Sequence, residues 1–276
     1  MFADDLKIYR TIRSREDIVL LQNDIDIVLN WCICNGMVLN SSKCFHMKFS
    51  RKRILEPATY FINGTPIAEV LKMRDLGVII DTKLDFREHI DHIIRKASRL
   101  SGFIIRQTKF FNDPDVSIIL YNCYVRSLLE YCSQVWNPSY TVHVQRLERI
   151  QRKFLYHLSF ANNFCQKLIT YNDRIQHFKL LSLEKRRVIA DVVFLNKLVR
   201  GKLDDPDLIK KINVSVPRSC SRLHNTVTFA LPCCRTNFGQ HSALYRMCYL
   251  HNNYCKDLDI FLVSENILKS RLNVLL

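Results

Sequence analysis

Glycine and proline are scarce in this chain, with 6 Gly and 7 Pro in 276 residues. That excludes long low-complexity linkers and a Gly-rich loop of the kind that cradles phosphates. Acidic residues are short relative to basic ones: 26 Asp and Glu stand against 41 Lys and Arg, a formal charge of +15. The excess favours an anionic partner, nucleic acid ahead of an acidic membrane surface. No apolar run reaches the roughly 20 residues of a membrane span, so no membrane partner is expected. No secretory pattern opens the chain, because Asp4 and Asp5 follow Met1 where a basic and then apolar run would stand. The 11 Cys are odd in number and scattered, which argues against a disulfide framework. The expected setting is intracellular, nuclear or cytoplasmic, with free thiols.

What is present is unevenly placed. Residues 1–86 hold 12 Lys and Arg against 11 Asp and Glu; residues 87–200 hold 19 against 9; residues 201–276 hold 10 against 6. A phosphate-binding surface is therefore sought in the middle segment. Residues 16–35 carry Ile18, Leu21, Ile25, Val28, Leu29 and Cys32 at helical spacing, and Gly36 is a stop signal. Asn63-Gly64 between apolar flanks marks a β-hairpin, and Pro66 limits its returning strand to a very short pairing. Leu76–Asp81 reads as a strand. Helices are expected over 87–106, 115–133, 141–158 and 182–200, with one more near 242–255. On the first, Arg95, Lys96, Arg99 and Arg106 fall off the apolar stripe; on the third, Arg146, Arg149, Arg152 and Lys153 do. These eight cations are the candidate nucleic-acid contacts. The competing reading of each face is a solvated helix side.

Several ordered segments carry a family resemblance. Phe2-Ala3-Asp4-Asp5 resembles the second acidic box of reverse transcriptases. Trp31–Lys43, with Asn35-Gly36-Met37-Val38-Leu39-Asn40 before Ser41-Ser42-Lys43, resembles the helix-then-lysine segment that follows it. Leu76–Asp81 with Leu84-Asp85-Phe86 resembles a primer-grip strand entering the thumb, and Tyr124–Cys132 with Val135-Trp136 and Leu147–Arg152 resembles the post-polymerase segment. Together they resemble the LINE class of non-LTR, jockey-like retroelements over residues 1–200.

The resemblance implies RNA-directed DNA synthesis on an RNA/DNA template-primer. Asp4 and Asp5 would ligate Mg²⁺, Lys43 would lie near the incoming triphosphate, and Gly77 would allow close approach of the primer. Two-metal transfer needs carboxylates around ions about 3.5–4 Å apart, and adjacent strand residues point to opposite faces. No partner Asp from another strand is found, nor a fingers region, so the isolated chain is not expected to polymerise. The expected fold is α+β, mostly α. Residues 1–86 would form a partial palm with a small antiparallel β remnant near 44–81, residues 87–160 a thumb-like helical region, and residues 161–276 a C-terminal helical region. Trp136 and Tyr131 are expected in the core. The alternatives are a non-enzymatic basic nucleic-acid-binding protein of retroelement origin and an unstable product exposing apolar surface. Cys248-x₂-His251-x₃-Cys255 partly matches zinc-ligand spacing, against the commoner reading of buried free cysteine.

Overall fold

A computed structural model describes residues 5–51, 57–111, 113–162, 167, 169–215, 227–256 and 258–275. Two compact units divide the chain, residues 1–89 and residues 90–276.

The first unit is organised by helix α1 (Arg15–Cys34). Asp17 starts it by accepting the Arg13 and Ser14 backbone N–H groups at 2.7 and 3.0 Å, which satisfies donors just ahead of the helix. Its end is a Schellman turn. Met37 N–H donates to the Cys32 carbonyl at 2.8 Å and Gly36 N–H to Ile33 at 3.1 Å. Gly36 takes φ +68°, a conformation that costs side-chain-bearing residues energy. The inner face holds Cys32 buried and Ile18, Leu21, Ile25, Val28 and Leu29 half-buried.

Six short strands follow among the described residues: β1 (Phe45–His46), β2 (Phe61–Ile62), β3 (Thr65–Pro66), β4 (Ala68–Glu69), β5 (Lys72–Asp75) and β6 (Val78–Asp81). They form three two-stranded ladders. The expected remnant was wholly antiparallel, but β1 pairs with β4 in parallel, Phe45 opposite Ala68. The β2–β3 hairpin turns at Asn63 (φ 49°) and Gly64 (φ 73°), as the Asn-Gly pair demands. Pro66 lacks an N–H, so β3 stops after two residues. Gln22 of α1 completes the edge of β2: its side-chain amide donates to the Phe61 carbonyl at 3.0 Å and accepts the Phe61 N–H at 2.9 Å.

The second unit is helical: α2 (Arg87–Gln107, entering from the first unit), α3 (Pro114–Leu120), α4 (Ser127–Glu130), α5 (Ser133–Trp136), α6 (Thr141–Ala161), α7 (Tyr171–His177), α8 (Leu183–Val199), α9 (Pro206–Ile209), α10 (Asn237–Gln240), α11 (Ala243–Tyr254) and α12 (Glu265–Leu275). The single helix expected over 115–133 is broken. Asp113 caps α3, a wide π-type turn spans Tyr121–Arg126, and Cys132 adopts φ 55° before α5. Trp136 is buried and donates its indole N–H to the Tyr131 carbonyl at 2.7 Å. Tyr131 itself is 56 % exposed, contrary to its expected core position.

α8 is the axis of this unit. Val192 and Val193 pack with Cys255, Leu268 and Leu272 on one side. Leu195 packs with Phe229, Met247, Cys248 and Ile260 on another. Its N-terminus is held by Glu148 of α6, a carboxylate only 7 % exposed. Glu148 accepts the Leu183 and Glu184 N–H groups at 3.2 and 3.3 Å and the Tyr171 hydroxyl. A negative charge there satisfies orphan donors and meets the positive end of the helix. Gln151 extends the network: it donates to the Leu181 carbonyl at 2.9 Å and accepts the Tyr121 hydroxyl at 3.1 Å. Buried Asp191 joins α8 to α11 by accepting Arg246 Nε at 2.8 Å.

Candidate nucleic-acid interface

Asp4 lies outside the described residues. Asp5 is exposed at a β-bridge position. The chain after it is tied down by ion pairs, Lys7 to Asp75 at 2.6 Å and Arg10 to Asp24 at 2.8 Å. Those two carboxylates are thereby engaged by cations. Among the described residues no group of three or more His, Cys, Asp or Glu side chains converges. The described donors therefore do not make a magnesium cage, and no chemical step is routed through one.

Lys43 closes a 3₁₀ turn (Ser41–Lys43) started by Asn40, whose side chain accepts the Ser42 N–H at 3.1 Å; the lysine is exposed. Gly77 was expected within a strand. It sits instead in the turn between β5 and β6, at φ 90° beside Leu76 at φ 44°. Both residues of this two-residue loop are left-handed, the geometry that matches hairpin twist. The glycine thus serves a turn.

The helical cations sort more clearly. Ile90, Ile93, Ala97 and Ile104 of α2 are buried, while Arg95, Lys96, Arg99 and Arg106 are exposed. Arg95, Arg99 and Arg106 lie four and seven residues apart on one side, spanning about 16 Å of helix axis. Both acidic residues of α2 are near its start and are already paired, Glu88 with Lys72 and Asp91 with Arg146. On α6, Leu147, Ile150, Phe154, Leu155 and Leu158 are buried, and Arg149, Arg152 and Lys153 are exposed. Arg152 lies over the Tyr171 ring, 5.0 Å from its centroid. Arg146 is half-exposed and committed to Asp91 at 2.6 Å, a tie between α6 and α2. The only acid in α6 is Glu148, which faces the core. The outward face of α6 thus carries charge of one sign.

The zinc spacing resolves into core packing. Cys248 and Cys255 pack into different hydrophobic clusters. Burial pushes both thiols up to about 11, away from the thiolate a metal needs. His251 is fully buried, edge-on to Phe229 at 5.1 Å, and burial lowers it to about 4.

One basic feature was not visible in the sequence. Two adjoining cavities of about 520 and 400 Å³ in the second unit share Leu181, Arg186 and Asn273 in their walls. Arg126, Lys179, Lys197 and Lys269 also line them. These cations come from four separate segments and share no motif.

No family model matches the chain, and no solved structure does. Curated relatives do. An RNA-directed DNA polymerase from the mobile element jockey of Drosophila funebris is 27 % identical over 165 residues, 58 % of this chain and 18 % of that protein. A probable RNA-directed DNA polymerase from transposon X-element of Drosophila melanogaster is 24 % identical over 155 residues, 55 % of this chain and 17 % of its own length. An uncharacterised protein of Caenorhabditis elegans is 27 % identical over 140 residues, covering 50 % of this chain and 68 % of that protein. The chain spans less than a fifth of the two polymerases. Among the described residues, no helix is long and apolar enough to cross a membrane.

Proposed function

We propose, from its kinship with the reverse transcriptases of LINE-type, jockey-like retrotransposons, that this chain is a portion of such a polymerase whose own contribution is to grip the template-primer. The observation that carries this reading is the one-signed outer face of α6, set beside the basic stripe of α2. Arg149 and Lys153 have no carboxylate partner among the described residues, and neither do Lys96, Arg99 and Arg106. Such cations bind phosphates by releasing counterions, without reading sequence.

Unit 1 is read as part of a polymerase palm, with residues 87–160 as its thumb. One physical feature supports this: the outer side of α1 exposes Val19, Ile27, Trp31 and Ile33, each more than half accessible. Several large apolar side chains exposed along one helix suit a surface that another part of a protein covers, although Asn23, Asp26 and Asn30 lie among them. In the full polymerase, Asp4 and Asp5 would take part in binding Mg²⁺, with Lys43 near the triphosphate and Gly77 near the primer. A basic nucleic-acid-binding protein without polymerase activity rests on the same helix faces.

Two assays test the reading. Binding to duplex and single-stranded oligonucleotides should weaken with salt along a log–log slope of about −0.9 per duplex phosphate contacted. The paired change Arg149→Glu and Lys153→Glu should make that slope shallower by roughly 2. Salt-insensitive binding refutes the grip. Primer extension by the pure chain with Mg²⁺ is expected to be absent; extension that disappears in Asp5→Asn would show a complete catalytic centre instead.

A further inference from the structure

We infer that the cleft beside α8 is a binding site for an unpaired stretch of nucleic-acid strand, separate from the basic faces of α2 and α6. The inference takes the chemistry of its occupant from the nucleic-acid reading above, but its site and its residues are different.

The floor of the larger cavity is one face of α8. Arg186, Ile189, Ala190, Val193, Phe194 and Lys197 all line it, at intervals of three, one, three, one and three residues. That spacing keeps six side chains on one side of a helix over about 16 Å. The order along the face is cation, apolar stretch, cation. Lys269, in α12, also lines it. Lys179 and Arg126 line the adjoining cavity, next to Arg186.

The charges leave a net positive lining. Glu130 is the one acid in the walls, and Arg186 already pairs with both of its oxygens. Lys197 is 3.6 Å from Glu265, which Lys202 also holds at 2.8 Å. Lys179 and Lys269 have no ion-pair partner among the described residues. An anion entering the cleft therefore meets two lysines without a carboxylate partner among the described residues, Lys179 in the smaller cavity and Lys269 in the larger.

Shape and polarity narrow the ligand. A cavity of about 520 Å³ joined to one of 400 Å³ falls in the range of small-ligand sites. It has room for a nucleotide or two and is too small to admit a double helix. Phe194, half-buried on the floor, presents an aromatic surface between the cationic ends. Unpaired strands are held in just this way, with phosphates on basic groups and bases against apolar or aromatic side chains. Val193, Ile189 and Phe194 also pack against the core clusters beneath, so what they offer a base is the part of their surface that those clusters leave.

Lys179 adds a backbone argument. It follows α7 at φ 52°, the left-handed position after a helix that glycine fills best. Leu180 N–H returns to the Ile175 carbonyl at 2.9 Å, which locks the turn. Lys179 lines the smaller cavity, and the strain at this position means that Lys179→Gly removes the charge while relaxing the chain.

The test uses the full chain and two labelled probes, a short oligo-dT and a duplex of equal length. Lys179→Gly and Lys269→Gln together should weaken oligo-dT binding about tenfold and leave duplex binding within twofold. Arg149→Glu with Lys153→Glu should do the reverse for the duplex. Equal urea midpoints would certify folding. In the unsubstituted chain, a photoreactive base in the oligo-dT should cross-link within residues 189–197. If the cleft variant binds oligo-dT as tightly as the unsubstituted chain, or loses duplex to the same degree, the inference is wrong while the helix-face reading stands. A chain that binds neither probe overturns both.

Discussion

His251 is the residue whose perturbation tests the second unit most directly. It sits on α11 with no accessible surface, and neither ring nitrogen has a hydrogen-bond partner among the described residues. Phe229 and the core around it offer no charge to stabilise an imidazolium, so burial lowers the group from 6.5 to about 4. The folded protein thus keeps His251 neutral where the unfolded chain would protonate it. The unfolded state binds the extra proton only between the two values. Stability is therefore complete above 6.5 and falls as the pH drops from 6.5 towards 4. A shift of this size is worth about 3 kcal/mol in total, of which about 2 kcal/mol is lost between pH ~7 and ~5. His251→Leu, close in volume, removes the titration. The assay is urea unfolding of both proteins at the two pH values, read as the difference between them so that other groups cancel. The variant should gain about 2 kcal/mol on the unsubstituted chain on going to pH ~5. A difference that does not change with pH would mean that His251 is hydrated or partnered, and the packing of α11 against Phe229 would be wrong.

Three other outcomes follow from the same reasoning. Arg246→Ala should cost about 3–5 kcal/mol in urea midpoint stability, because Asp191 is left buried without its cation. Gly36→Ala should cost about 1 kcal/mol, all of it backbone strain, since a Cβ there meets nothing within 4 Å. Thiol labelling of the native protein should modify Cys34, Cys123 and Cys233 rapidly and spare Cys248 and Cys255, whose burial raises them to about 11; fast labelling of the latter pair would show that their clusters open.

The legible elements were those whose signals are local. α1 was readable because its apolar stripe ends in a glycine that the Schellman turn needs. The Asn63-Gly64 hairpin was readable because those two residues favour the left-handed turn. β5 was missed for the opposite reason: Lys72-Met73-Arg74-Asp75 has little apolar content, and Leu76 occupies a left-handed position that leucine does not advertise. The stop at Tyr131–Cys132, where Cys132 takes φ 55°, was invisible because no glycine or proline marks it. Cys248 and Cys255 share a helix face by spacing, yet two different clusters receive them, which only tertiary packing decides. The cleft had no signature at all, since its cations come from residues 126 to 269 and meet only when α8 and α12 pack.

Glu148 links the packing of the second unit to its charge. Pattern alone would place an acid on α6 among the solvated residues, where it would neutralise a neighbouring arginine. Ser182 caps α8 by accepting only the Lys185 N–H, and the donors it leaves draw Glu148 inward instead, its oxygens taken by Leu183, Glu184 and Tyr171. The helix surface left behind is purely cationic. Glu148→Gln separates the two consequences. The amide keeps the volume but turns an NH₂ towards backbone donors, which should cost about 2 kcal/mol in urea midpoint stability. It adds no charge to the exposed face, so the salt slope of duplex binding should stay unchanged. A slope that steepens in the folded variant would mean that Glu148 is felt by the ligand, and α6 would then owe its basic face to something other than the capture of its one acid.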